Sequence, residues 1–170
     1  QGLIAGINAA LRVQGKPPFV PKRSDAYIGM MIDALIATDL EEPYRMFTSR
    51  AEHRLLLRQD NADLRLRKFG YELGLISHEQ YQRLCHKENT VQEQIRILTA
   101  KHIQLNGKGY SLSQLLCRPE YTHAMLREQF PTIVQDFGEE INSQIELQLK
   151  FAGYIQRQAG EAAKLAHIEN

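Results

Sequence analysis

The sequence predicts a mainly α-helical fold, and three observations carry that prediction. Apolar residues recur at helical spacing over several long segments. Capping residues stand where those segments begin, and Pro and Gly are scarce inside them. No convincing alternation of apolar and polar positions marks a β-strand, and there is no internal repeat or low-complexity tract.

Taken in order, residues 2 to 13 read as an Ala-rich apolar helix in which Gly2 and Gly6 leave a smooth face. Its start at Gln1 and Gly2 offers unpaired N–H groups to an anion or a carbonyl, although plain helix packing accounts for the small residues equally well. Residues 15 to 21 carry three prolines, which remove donors and favour extended backbone, so this stretch reads as a linker. Ser24 or Asp25 caps a second helix running to about Ala37, with Ile28, Met31, Ile32 and Leu35 on one face. Thr38 to Glu42 turns polar, and Tyr44 to Phe47 suits a short extended segment. Asp60 and Asp63 announce a short helix from Asn61 to Phe69, ended by Gly70. Ser77 and Gln80 form a capping box for a long helix reaching about Lys101, with Tyr81, Leu84, Cys85, Val91, Ile95 and Leu98 at helical spacing. Asn106 to Gly109 is a turn. Ser111 or Ser113 caps a turn of helix stopped by Pro119, Glu120 to Gln129 makes another, and a final long helix runs from Glu139 toward Leu165.

The chain has 170 residues, 43% of them hydrophobic and 24% charged, which suits one ordinary globular domain, or one domain plus a fragment, with a sizeable core. Its net charge of +1 excludes a uniformly basic, histone-like binder. No apolar run approaches the ~18 residues of a membrane span and no signal-like start appears, so the expected location is cytoplasmic and no membrane partner is expected. A first residue Gln1 within an ongoing pattern suggests a piece of something longer. Cys85 and Cys117 give neither a disulfide framework nor zinc spacing and read as reduced core thiols.

The densest chemistry lies between Pro43 and Gly70. Seven basic residues, six of them Arg, stand against Glu52, Asp60 and Asp63, a local charge of +4. Arginine grips phosphate with a planar fork and stacks on bases, so this concentration suits a phosphate-binding face. Ser49 and Glu52 form a capping box, which predicts a helix from about Arg50. On that helix Arg50, Arg54 and Arg58 fall in one stripe with His53 beside it. The competing reading pairs these arginines with the three acids in an internal network.

The run from Glu42 to Leu66, EPYRMFTSRAEHRLLLRQDNADLRL, closely resembles the C-terminal region of the FAD-dependent tRNA wobble-uridine carboxymethylaminomethyl-modifying enzymes, the GidA or MnmG family. Residues 1 to 10, 23 to 29 and 150 to 158 agree in the same order. The resemblance implies a helical bundle at 22–170 that binds tRNA and docks a GTPase partner of the MnmE family, preceded at 1–21 by the last helix of an FAD-binding domain and its Pro-rich linker. It implies that Gln1 and Gly2 touch FAD, that NADH reduces the flavin, and that a one-carbon unit from methylenetetrahydrofolate ends on carbon 5 of the uridine. It further implies a homodimeric parent enzyme and tRNA contacts by Arg45, Arg50, Arg54, Arg58 and Arg65. His53 stands where the family commonly has Tyr; it remains a flat ring able to stack on a nucleotide. The rival reading is a structural or protein-interaction helical domain.

Lys150, Tyr154 and Arg157 share one helix face, a phenol flanked by cations. That suits base stacking with phosphate contacts, and equally suits a tyrosine anchoring the helix to its neighbours. No dinucleotide fingerprint, phosphate loop or zinc-hydrolase motif occurs, and the six histidines never pair at metal-ligand spacing. No catalytic centre is expected in this chain, and no metal; as an isolated fragment it is expected to be inactive and to carry no bound flavin.

Overall fold

The computed structural model describes residues 1–37, 43–45, 51–105 and 107–168, with side chains as far as Arg157. Along this length stand seven helices and one hairpin: α1 Gly2–Val13, α2 Tyr27–Ala37, α3 Ala62–Glu72, α4 His78–Ala100, β1 His102–Leu105, β2 Lys108–Ser111, α5 Leu112–Leu116, α6 His123–Gln129 and α7 Glu139–Ile168. The fold is mainly α, as the periodicity predicts. It divides into two compact units, residues 1–77 with the chain from 158 onward, and His78–Arg157.

In the first unit no side chain of α1 is buried, although the helix is apolar. The proline-bearing segment after it is not a free linker. Asn8 Nδ2 donates to the Phe19 carbonyl at 3.0 Å and Phe19 N–H donates to Asn8 Oδ1 at 2.7 Å, while the Phe19 ring lies 5.4 Å from that of Phe69. Helix α2 starts later than the capping residues suggest, because the Asp25 carboxylate accepts the Lys22 N–H instead of capping a turn at its own position. The buried face of α2 is Gly29, Met30 and Ala34, not the face carrying Ile28 and Leu35. Helix α3 runs two residues past Gly70. It ends in a Schellman motif, with Leu75 N–H donating to the Gly70 carbonyl at 2.8 Å and Gly74 N–H to Tyr71 at 3.0 Å. The left-handed position this motif needs is Gly74, at φ 74°.

In the second unit α4 presents Leu84, Val91 and Leu98 inward at helical spacing. Val91 and Leu98 join Leu112, Leu115, Leu116, Leu126, Val134 and Ile145 in one core. Of the turn expected at Asn106 to Gly109, Asn106 lies outside the described residues, and Lys108 and Gly109 belong to the second of two short antiparallel strands, with His102 opposite Ser111 and Leu105 opposite Lys108. They escape the sequence because each has only four residues and their burial is partial. Ser111 caps α5 in a full capping box with Gln114. Helix α6 begins at His123, where Thr122 accepts the Met125 N–H, rather than at Glu120. The cysteines are free but are not core thiols: Cys85 is half-buried and Cys117 exposed, its thiol donating to the Leu149 carbonyl at 3.3 Å. Among the described residues no three His, Cys, Asp or Glu gather as a metal site, and no helix is long and apolar enough to cross a membrane.

Candidate nucleic-acid interface

The arginine-rich stretch does not form the helix its capping box predicts. Ser49 and Arg50 lie outside the described residues, and from Ala51 to Asp60 the chain runs in successive turns. Arg54 N–H donates to the Ala51 carbonyl at 3.1 Å, and the N–H groups of Leu56 and Leu57 donate to His53 at 2.9 and 3.0 Å. Two causes are visible. Ala51 and Leu57, 7% and 4% exposed, are both buried, yet six residues apart on a helix they would sit on widely separated faces. Glu52, the acid the box requires, is bound elsewhere: Arg23 Nε and Nη2 donate to its two oxygens at 2.5 and 2.7 Å. Arg23 Nη1 reaches Asp33 as well, at 2.7 Å. The hydrogen bond from Arg23 holds the Glu52 carboxyl below the usual carboxylate range, and the same contact raises the Arg23 guanidinium.

The predicted stripe is therefore replaced by a sorted set of cations. Arg58, with 15% of its side chain exposed, is turned inward; its Nε donates to Asp60 at 3.0 Å and its Nη1 to the Leu55 carbonyl at 2.6 Å. Arg65 is half-buried and bonded to Asn61, Asp25 and Arg58. Burial, followed by the nearby Arg58 charge, pulls its guanidinium below the ordinary value. Arg45 and Arg54 are exposed, and so are Arg67 and Lys68 of α3. His53 is 16% exposed, its Nε2 lies 3.9 Å from Glu52, and its buried Nδ1 has no partner among the described residues. An open pocket of about 420 Å³ adjoins it, lined by Lys22, Arg23, Ser24, Asp33 and Ile36 among others.

In the second unit Lys150 pairs with Glu146 at 2.8 Å, one turn earlier on α7. Tyr154 is 56% exposed, with the Arg157 guanidinium 5.4 Å from its ring centroid and the Phe151 ring at 6.4 Å. A side chain that exposed is not the packing anchor offered as one of its two readings. At the start of α1, Gln1 is exposed and its amide approaches Met31 Sδ at 3.5 Å, while nothing lies within 4 Å of where a Gly2 side chain would begin.

Arg23, Asn61 and the carbonyl of Asp25 are organising groups that residue patterns missed. Arg23 and Glu52 stand 29 residues apart, beyond the reach of any helical spacing rule. Helical spacing groups Lys68 with Arg65 on the short helix, yet Lys68 and Arg67 are exposed and Arg65 is half-buried, because exposure, unlike charge, is decided by tertiary packing.

Residues 78–159 match the family model described as the tRNA modifying enzyme MnmG/GidA C-terminal helical domain. A Protochlamydia amoebophila protein named tRNA uridine 5-carboxymethylaminomethyl modification enzyme MnmG is 61% identical over 169 residues, covering 99% of this chain and 27% of that protein. The protein of the same name from Chlamydia felis is 49% identical over 170 residues, covering 100% of this chain and 28% of its own length. The crystal structure of Aquifex aeolicus GidA in form II matches 100% of this chain and 28% of that one, with a TM-score of 0.89 and 40% identity. The chain thus spans 27–28% of the length of these proteins. It belongs to the MnmG/GidA family, of which it represents the C-terminal region.

Proposed function

We propose that this chain is the tRNA-binding C-terminal part of an FAD-dependent enzyme that adds an aminomethyl or carboxymethylaminomethyl group at carbon 5 of the wobble uridine. The reading is supported by the names its relatives carry and by the family description. The observation that carries the binding role is Arg54: it is exposed, it follows a turn fixed by Glu52, and no carboxylate engages it among the described residues. Arg45, Arg67 and Lys68 stand likewise exposed, and with Tyr154 and Arg157 on α7 they complete the proposed set of RNA contacts. Arg50 belongs to the set by its place in the sequence alone. Arg58 and Lys150, each held by an acid, are proposed to act as supports.

FAD supplies the redox chemistry in this reading, with NADH as reductant. Residues 1–21 are proposed as the closing helix of its domain, and Gln1 and Gly2 as the edge that meets it. The fit is chemical: an open helix start with an unobstructed Gly2 lets an anionic or carbonyl group approach backbone N–H donors. A GTPase partner of the MnmE family, a homodimeric parent and a cytoplasmic location complete the proposal.

The test is a titration of the full-length protein with tRNA at several salt concentrations. Arg45→Ala with Arg54→Ala is expected to flatten the slope of log K against log salt by about 1 to 2, since each lost phosphate contact removes roughly 0.7–0.9. A slope equal to that of the parent would overturn the assignment of these two residues.

A further inference from the structure

Arg65 is bonded unlike Arg23 and Arg58 of the same unit, which pair with carboxylates. Its Nε donates to Asn61 Oδ1 at 2.9 Å, its Nη2 to the Arg58 carbonyl at 3.1 Å, and its Nη1 to the Asp25 carbonyl, 40 residues away. All three acceptors are neutral carbonyl oxygens. The three acceptors come from the approach to α2, the last turn of the arginine-rich stretch and the residue before α3, so one planar group ties three segments that share no backbone ladder. The segment it closes is itself short of regular bonding, with only the turns at Arg54, Leu56 and Leu57 inside it. Asn61 reinforces the junction by donating from Nδ2 to the Leu56 carbonyl at 3.0 Å. A lysine ammonium in place of the guanidinium presents one nitrogen and cannot span three divergent carbonyls.

We infer that Arg65 is a positioning residue for anion binding, holding the turns from Ala51 to Asp60 so that Arg54 projects to solvent, without itself meeting RNA. The binding arm of this inference rests on the tRNA reading above. It reassigns a residue whose place in the sequence suggests a direct contact, because the side chain is half-buried and each of its three nitrogens already donates to a carbonyl oxygen of this chain.

The test uses the full-length protein with Arg65→Lys, and Asn61→Ala as a milder second variant in case the first does not fold. Two readouts are taken: tRNA affinity across salt, and amide hydrogen exchange of peptides covering residues 51–60. Arg65→Lys is expected to weaken tRNA binding about tenfold, the scale of one or two lost net hydrogen bonds. The salt slope is expected to flatten by about 0.7–0.9 as Arg54 loses its phosphate, exchange across 51–60 to rise about tenfold, and exchange across α4 to stay as in the parent. Asn61→Ala is expected to move both readouts in the same direction by less. A salt slope equal to that of the parent would show that Arg65 does not place Arg54 on its phosphate and would overturn the inference. Unchanged exchange across 51–60 in both variants would overturn it too. If the parent protein does not bind tRNA, the functional reading fails, while hydrogen exchange still decides whether Arg65 holds the turns.

Discussion

Arg23 and Glu52 form a two-pronged ion pair, Nε to Oε1 at 2.5 Å and Nη2 to Oε2 at 2.7 Å, that fastens the start of the arginine-rich turns to the residues preceding α2. The Arg23 side chain is 33% exposed and that of Glu52 29%, so solvent screens the pair without dissolving it. Arg23→Ala is expected to destabilise the first unit by about 1–2 kcal/mol, since it also leaves Glu52 half-buried and unmatched. Chemical denaturation followed at a probe in residues 1–77 checks this.

The same pair sets a pH dependence. Glu52 ionises below the usual carboxylate range in the folded chain, so its contribution is fully present above the unfolded value near 4.3–4.5 and is lost as pH falls through the lowered folded value. A stability profile from pH 7 to pH 3 should lose part of its acid limb in Glu52→Gln.

His123 gives the second unit a different profile. It is 4% exposed, and burial lowers the affinity of its ring for a proton, with Arg127 adding to the effect. The unfolded chain therefore takes up a proton near pH 6.5 that the folded chain refuses, and stability declines as pH drops below that point. His123→Gln should flatten this decline, read as the shift of the thermal midpoint between pH 7.5 and pH 5.5.

Gly29 is a site of close backbone approach. A Cβ there would stand 2.2 Å from the Lys22 carbonyl oxygen and 2.5 Å from that of Pro21, and backbone cannot yield as a side chain does. Gly29→Ala should cost about 3 kcal/mol, the upper end for overpacking, with the loss confined to the first unit.

Arg67 and Lys68 offer a contrast with Arg58. Both are exposed on α3, whereas Arg58 is engaged by Asp60 and the Leu55 carbonyl. Arg67→Ala with Lys68→Ala should lower the salt slope of tRNA binding while leaving the melting temperature within about a degree. Arg58→Ala should do the reverse.

What was legible in the residues was what is settled locally. Ser111 and Gln114 cap α5 because both partners lie within one turn, and Val91 and Leu98 reach the core because seven residues return a helix to the same face. The box at Ser49 and Glu52 had the same local signature, yet Glu52 binds an arginine 29 residues earlier in the chain. Propensity was outweighed there by a tertiary ion pair and by the burial of Ala51 and Leu57. The family likeness located the arginine-rich region, but the division between outward and inward arginines depends on acceptors at Asp25, Leu55, Asp60 and Asn61 that no periodicity reveals.

The clasp between Asn8 and Phe19 bears on how this region can be cut for study. A truncation beginning after Pro21, where composition invites one, would discard the whole clasp, Phe19 included, and leave Phe69 without the ring that lies 5.4 Å from its own. Shortened versions starting there should be prone to self-association and poor recovery, whereas versions retaining the first helix should purify as well-behaved particles.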